Sequence, residues 1–323
     1  MRIAILGFGH VGRALARLLV EQRGRHPFVV TAIVTQRHGN VTDARGIDLG
    51  QALARESFGG GSPLAVAMLD ADAVVDLTPL DARTGGPGLA YVREALASGR
   101  HVVTSNKGPI ALAYRELSAL ARERGVLLRF EATVADCLPL FDLARAALPL
   151  AEIRSIRGVL NSTTNGILSA AARGVPFADA LADAQRLGIA EADPRNDLEG
   201  WDAAAKAAIL ANVLMGTGLA PLDVARTPIG EDAAALAREA VTLGERVRPV
   251  VELVRDGDRV RATFGPVRLG PLDPLYAVDG FSLGAVLDTD LAGRVAVQLH
   301  EPHVAQTAYA VFTDLLDVAA VGP

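Results

Sequence analysis

Along the first 130 residues, short apolar runs alternate with stretches whose apolar positions recur every three to four residues. Residues 3–6 (Ile-Ala-Ile-Leu) and 28–34 (Phe-Val-Val-Thr-Ala-Ile-Val) have the length and composition of buried strands, and residues 13–20 between them have helical spacing. Residues 73–77, 101–104 and 126–130 read as further strands. Residues 89–98 and 112–124 read as helices, the first stopped by Gly99. A loop from residue 39 to residue 61 carries one short helix near residues 49–54. Strands alternating with helices in this way predict an α/β fold with a doubly wound parallel, Rossmann-type sheet.

The pattern changes after Glu131. A bridge leads into a helix near residues 140–147, and residues 153–160 alternate apolar and polar like a half-exposed strand. That strand ends in a cluster of small hydrogen-bonding side chains, Asn161-Ser162-Thr163-Thr164-Asn165, before another helix. Residues 177–187 are helical, and residues 247–254, 259–264, 285–290 and 294–299 read as antiparallel strands, with Asp256-Gly257 as a hairpin turn. A mixed sheet with helices on one side is an α+β layer. The expected division is therefore residues 1–133 and residues 134–303, with a final amphipathic helix (about 304–323) packing back on the first domain.

Candidate chemistry falls on three places in this frame. First, residues 3–6 run straight into Gly7-Phe8-Gly9-His10-Val11-Gly12, and a helix and a strand follow within about 30 residues, the setting that a dinucleotide fingerprint requires. Gly7 makes the turn, Gly9 admits the pyrophosphate, Gly12 lets helix and strand close, and the helix N-terminus faces the phosphates. The strand after it ends in Thr35-Gln36-Arg37-His38 with no carboxylate for a ribose 2′-hydroxyl. Arg37 suits a 2′-phosphate, so NADP(H) is the expected preference; Asp43, just beyond, leaves NAD(H) open. Second, Thr78 and the run Ser105-Asn106-Lys107 lie at the carboxyl ends of strands, where open parallel sheets bind ligands. Third, residues 191–206 form an acidic loop that opens a helix. On a 3.6-residue period Asp202, Lys206, Ile209 and Val213 share one arc. A lysine on an apolar stripe has to be paired or to line a cleft, because a lone buried charge is very costly.

Composition narrows the function classes. The chain has 323 residues, enough for about two domains, and half of them are apolar. A net charge of −5 with interspersed signs gives no nucleic-acid footprint and no polybasic membrane signal. No apolar run looks long enough to span a bilayer. The single cysteine, Cys137, allows no intramolecular disulfide and fits a reducing, cytoplasmic setting.

Several of these motifs together resemble the homoserine dehydrogenase family, nearly end to end. The pieces are residues 7–12, Val103-Thr-Ser-Asn-Lys-Gly-Pro109, Phe130-Glu-Ala-Thr-Val134, Gly158-Val-Leu-Asn-Ser-Thr-Thr-Asn165, and Glu191-Ala-Asp-Pro followed by Asp197, Gly200, Asp202 and Lys206. The likeness is to the short forms without an aspartate kinase portion or a C-terminal regulatory domain. It implies interconversion of L-aspartate 4-semialdehyde and L-homoserine with NAD(P)H, and a homodimer formed through the second, substrate-binding domain. It implies Lys206 as proton donor, with Lys107 on the other side of the substrate, and substrate contacts from Glu191, Asp197, Asp202 and Thr163. It implies a monovalent cation at Glu131 with backbone carbonyls near Val134, Asp136 and Leu138.

Three departures stand out. Asp136-Cys137 replaces two residues that are usually small, Ser162 replaces a usual glycine, and Leu299-His300-Glu301-Pro302-His303 replaces a glycine-rich turn. His300, Glu301 and His303 read better as a rearranged loop than as a metal cluster. The departures keep two alternatives open: a sibling NAD(P)-dependent oxidoreductase of another amino acid or aldehyde, and an NADP-binding relative without catalysis.

Overall fold

The first sheet is built on β1 (Arg2–Leu6), four of whose five residues are buried. β2 (Val29–Val34) pairs with it on one side and β4 (Ala73–Asp76) on the other, both parallel. β5 (His101–Thr104) and β6 (Leu128–Arg129) extend the sheet beyond β4. β3 (Asn40–Thr42) pairs antiparallel with β2, giving the order β3-β2-β1-β4-β5-β6. Strand order reverses between β1 and β4, so the carboxyl ends of those two strands mark the switch point where such sheets bind ligands. The all-parallel expectation needs one correction. The stretch expected to be a loop turns back at residues 35–40, where Thr35 N–H donates to Asn40 Oδ1 and Thr35 Oγ1 donates to the Gly39 carbonyl, and this launches β3.

The structure, a computed structural model, describes residues 1–59, 70–81 and 83–322. Residues 60 and 61 of the expected loop lie outside them. The described chain forms two compact units, Met1–Cys137 with His303–Pro323, and Leu138–Pro302. The division falls after Cys137 rather than at residue 133, because residues 131–136 are tied to the last helix. The Glu131 N–H donates to Asp314 Oδ2, and Thr307 Oγ1 donates to Asp136 Oδ1.

In the first unit, α1 (His10–Glu21), α2 (Leu49–Leu53), α3 (Gly86–Ala97) and α4 (Lys107–Arg124) alternate with the strands. α4 starts five residues before the expected helix. Asn106 caps it by accepting from Gly108 N–H, Pro109 sits in the first turn where its missing N–H costs nothing, and a kink at Ala113 hides the continuity. The last helix, labelled below, covers Val304–Val321 and is long and apolar enough to cross a membrane by length and composition, contrary to the reading of the sequence. Its face of Ala308, Val311, Phe312, Leu315 and Val318 joins Leu15, Leu19 and Phe28 in the core of this unit. The Phe28 and Phe312 rings meet edge to face at 5.9 Å.

In the second unit, α5 is the single turn Leu140–Asp142, and β7 (Ile153–Val159) leads into α6 (Ser162–Ala172). There follow α7 (Phe177–Arg186), the one-turn α8 (Arg195–Leu198), α9 (Trp201–Leu214), β8 (Ala225–Arg226), α10 (Glu231–Thr242), β9 (Arg246–Asp256), β10 (Arg259–Leu269), β11 (Leu283–Thr289) and β12 (Arg294–Leu299). The sheet order is β12-β11-β7-β9-β10-β8, antiparallel except for the β8–β10 pair. α6, α9 and α10 pack on β9. The helix Val304–Val321, α11, returns the chain to the first unit.

Candidate active site and nucleotide site

The three fingerprint glycines are required for three different physical reasons. Gly7 has φ +96°, and a Cβ there would lie 2.6 Å from the Leu77 carbonyl oxygen at the end of β4. Gly12 lies in the first turn of α1, where a Cβ would meet the Gly7 carbonyl oxygen at 2.5 Å. Gly9 caps α1, and a Cβ there would meet no protein atom within 4 Å. The protein therefore crowds Gly7 and Gly12 but leaves open space over Gly9, at a helix N-terminus whose amides face outward. Beside it lies a cavity of about 410 Å³ lined by Phe8, Gly9, His10, Arg13, Thr35, His38, Glu56 and Phe58. These features fit a dinucleotide. Val11 is half-buried in the first turn of α1. Arg37 is exposed on the β2–β3 turn and does not line this cavity, whereas its neighbour His38 does.

At the other side of the switch point the ends of β4 and β5 form a buried polar layer. The Asp76 carboxylate is fully buried and accepts from Thr78 N–H, Thr78 Oγ1 and Thr104 Oγ1. Asn106 Nδ2 donates in turn to Thr78 Oγ1. Burial pushes the Asp76 carboxyl above the ordinary carboxylate range, against the pull of these hydrogen bonds. Ser105 is half-buried, and its N–H donates to the Asp76 carbonyl. Lys107 is half-buried at the first position of α4, so it is a helix-start residue rather than a loop lysine.

In the second unit, α9 carries the expected acid and lysine. Lys206 Nζ lies 2.8 Å from Asp202 Oδ2 and donates to the Leu160 carbonyl at 2.5 Å. Both side chains are about nine-tenths buried. The reason differs from the stripe inferred from sequence. Every residue of α9 from Asp202 to Asn212 is buried, because alanines at 203, 204, 205, 207 and 208 let neighbouring elements close around the helix; Val213, placed on the buried arc, is only half-buried. Asp197 on α8 joins the pair through Asn161, whose Nδ2 donates to Asp197 Oδ1 at 2.8 Å and to Asp202 Oδ2 at 3.0 Å. Burial and the neighbouring Asp202 charge raise the Asp197 carboxyl above its ordinary range. Hydrogen bonds from Asn161 and Thr163 and the Lys206 charge work the other way.

Thr163 lies in the first turn of α6, within this group, and its Oγ1 also donates to the Ile189 carbonyl. Glu191 stands apart. It is exposed on the loop after α7, and its carbonyl accepts from Gln185 Nε2. The site sets two carboxyl groups, Asp197 and Asp202, beside the Lys206 ammonium, an arrangement suited to a cationic group on a small ligand.

Glu131 is buried in the first unit, in a one-turn 3₁₀ helix that ends at Val134. Ala135 and Asp136 then both take left-handed backbone, φ 58° and 57°. The place that calls for small residues is therefore 135–136, one residue before the pair marked from sequence, and Thr307 secures it through Asp136. Leu138 is buried at the start of the second unit. Ser162 is helical without positive φ, so glycine is not required there. In the altered turn Glu301 alone takes positive φ (43°), and His303 caps α11 through Gln306. Among the described residues no group of three or more His, Cys, Asp or Glu side chains has metal-ligand geometry.

The sequence alone places Asn161 in a small polar cluster and Asp76 within the strand at residues 73–77, and marks neither as a site residue. The signal for Asn161 was its place directly before a helix, the N-cap position.

Comparison with known proteins gives a consistent result. The homoserine dehydrogenase family profile matches residues 139–316, and that of the homoserine dehydrogenase NAD-binding domain matches residues 7–131. A homoserine dehydrogenase of Methanocaldococcus jannaschii is 36% identical over 98% of both chains. An NAD(+)-dependent homoserine dehydrogenase of Pseudomonas canavaninivorans is 32% identical over 98% of this chain and 96% of its own. The crystal structure of a putative homoserine dehydrogenase from Archaeoglobus fulgidus superposes with TM-score 0.88 at 33% identity, over 98% of this chain and 99% of the other. A hyperthermophilic archaeal homoserine dehydrogenase in complex with NADPH superposes with TM-score 0.82 at 30% identity, over 100% and 98%.

Proposed function

The chain belongs to the homoserine dehydrogenase family of NAD(P)-dependent oxidoreductases, and we propose that it interconverts L-aspartate 4-semialdehyde and L-homoserine with Lys206 as the proton donor. The observation that carries the assignment is the buried Asp202–Lys206 pair, tied to the Leu160 carbonyl and joined to Asp197 by Asn161. When bound, a nicotinamide dinucleotide would supply the hydride for the aldehyde carbon. Lys206 Nζ–H gives its proton to the aldehyde oxygen, and the ammonium stabilises the negative charge that develops there. Asp202 and the Leu160 carbonyl fix the direction of that ammonium. Asp197, Thr163 and Glu191 hold the amino-acid portion, with carboxylates suited to its ammonium group.

The open space at Gly9 and the cavity beside it support dinucleotide binding at the fingerprint, with Phe8, His10 and Val11 around it and Thr78, Ser105 and Lys107 at the strand ends. NADP(H) is the preferred cofactor in this reading, because the turn after β2 carries Arg37 and no carboxylate. Relatives include both an NAD(+)-dependent enzyme and one solved with NADPH. Glu131, with the carbonyls of Val134 and Asp136, is the proposed ligand set for a monovalent cation. A homodimer and a cytoplasmic location complete the reading, the latter because a chain with Cys137 as its lone thiol suits a reducing compartment.

The test is NADPH oxidation with L-aspartate 4-semialdehyde, alongside Lys206→Ala. Turnover abolished by the substitution supports the assignment; turnover that survives it removes Lys206 from the role. Michaelis constants for NADPH and NADH test the cofactor preference, and equal or NADH-favouring values overturn it.

A further inference from the structure

Asn161 uses its whole hydrogen-bonding capacity in two directions. Its Oδ1 accepts from Thr164 N–H at 2.9 Å and from Thr164 Oγ1 at 3.0 Å, which caps α6. Its Nδ2 spends both hydrogens on carboxylates from two other elements, Asp197 on α8 and Asp202 on α9. The amide has only one consistent orientation, since Thr164 N–H requires an acceptor and the two carboxylates require a donor. The side chain is 7% exposed, so water does not substitute for it cheaply. Asp202 Oδ2, the atom that receives Asn161, is also the atom that pairs with Lys206 Nζ. The residue before Asn161 supplies the carbonyl that accepts from the same ammonium.

We propose that Asn161 is the positioning residue of this site: its amide holds Asp197 and Asp202 side by side as carboxylates and thereby fixes the ammonium of Lys206. The inference rests on the assignment of Lys206 as proton donor. The charged groups that accept from the amide are Asp197 from α8 and Asp202 from α9, and Asp202 in turn pairs with Lys206. α6 contributes the hydroxyls of Thr163 and Thr164, and the end of β7 contributes the Leu160 carbonyl. Two carboxylates this close repel each other, and one neutral donor shared between them lowers the tendency of either to take up a proton. Without that donor, the carboxylate needed for the amino-acid substrate is lost at a higher pH, and the ammonium loses its fixed partner.

Asn161→Asp separates the two roles of the side chain. Aspartate is as good an N-cap as asparagine, so α6 keeps its start, but both N–H donors are gone and a third acidic group faces Asp197 and Asp202. The expected result is kcat/KM lowered at least roughly tenfold to a hundredfold, since each of the two lost hydrogen bonds is to a charged group. The acidic limb of the kcat/KM profile moves up by about one pH unit or more, while NADPH affinity is unchanged.

An acidic limb that stays in place in Asn161→Asp, in soluble folded protein that binds NADPH, overturns the proposal. If Asn161→Asp does not fold, Asn161→Ser decides it: serine keeps the cap but does not reach both carboxylates, and an unmoved limb in that variant again overturns it. Turnover surviving in Lys206→Ala would instead overturn the proton-donor assignment, so the two failures are distinguishable.

Discussion

Replacing Lys206 by methionine removes the cation of the Asp202–Lys206 pair and little else, since methionine fills nearly the same volume in an unbranched shape. The lysine and Asp202 side chains are only 11% and 12% exposed and 2.8 Å apart. Breaking a buried pair by deleting one partner costs about 3–5 kcal/mol, because the remaining charge is left without compensation. For a unit of this size about 1 kcal/mol corresponds to ~2–4 °C of melting temperature, so Lys206→Met should melt about 10 °C below the parent at pH 8. The deficit should depend on pH with a definite sign. Burial and Asp202 already hold the Asp197 carboxyl above its ordinary value, and removing the ammonium raises it further. A carboxylate raised in the folded state contributes stability at low pH that is lost as pH rises through the folded value. The deficit is therefore small near pH 5 and full at pH 8. Trp201, the only tryptophan and the residue before Asp202, provides a local fluorescence signal for the melts. Adding Asp202→Asn should recover most of the loss, because both charges are then gone. A Lys206→Met protein that melts like the parent at pH 8, or whose deficit shrinks as pH rises, would refute this account of the pair.

Three further outcomes follow from other parts of the chain. Gly9→Ala should leave the melting temperature within ~3 °C of the parent yet weaken NADPH binding by at least about tenfold in titration calorimetry, whereas Gly12→Ala should lower stability by about 1–3 kcal/mol through its contact with the Gly7 carbonyl. Ala135→Gly should raise stability by about 1 kcal/mol in urea unfolding, because Ala135 pays for left-handed backbone that glycine adopts freely. Asp76 has its carboxyl raised by burial, so it contributes stability at low pH that declines as pH rises through its folded value. Asp76→Asn should accordingly gain on the parent in melting temperature between pH 5 and pH 8, and a relative loss over that range would contradict the buried-carboxylate assignment.

The parts of this protein that were legible in the sequence are those where local pattern and local chemistry coincide. Gly7, Gly9 and Gly12 fall between an apolar run and a helical period, and the sterics of the first and last are satisfied by atoms within the same unit. Gly108 and Pro109 look like breakers in the sequence and hide the start of α4 at Lys107, yet both are tolerated in a first turn capped by Asn106. β3 is three residues long and only partly buried, too short for a period to show. α10 went unread because the alanine-rich stretch from 233 to 237 offers little contrast between faces. Asp202 and Lys206 were legible because they are one helical turn apart. Asn161 was not, because the carboxylates it joins are 36 and 41 residues away and only the fold brings them together.

Alanine does more in α9 than raise helix propensity. A helix with large side chains on every face stands 8–10 Å from its neighbours, whereas small side chains allow a closer approach. The five alanines at 203, 204, 205, 207 and 208 are all buried, and the Leu160 carbonyl comes close enough to accept from Lys206 Nζ at 2.5 Å. A lysine so enclosed needs partners supplied by the fold, and the dipeptide Leu160-Asn161 provides both kinds: a carbonyl for the ammonium and an amide for the carboxylate that pairs with it. One dipeptide contacts both members of a pair that α9 carries one turn apart. The geometry of the Lys206 ammonium thus depends on a strand end and a helix start, places where backbone groups remain available to a side chain.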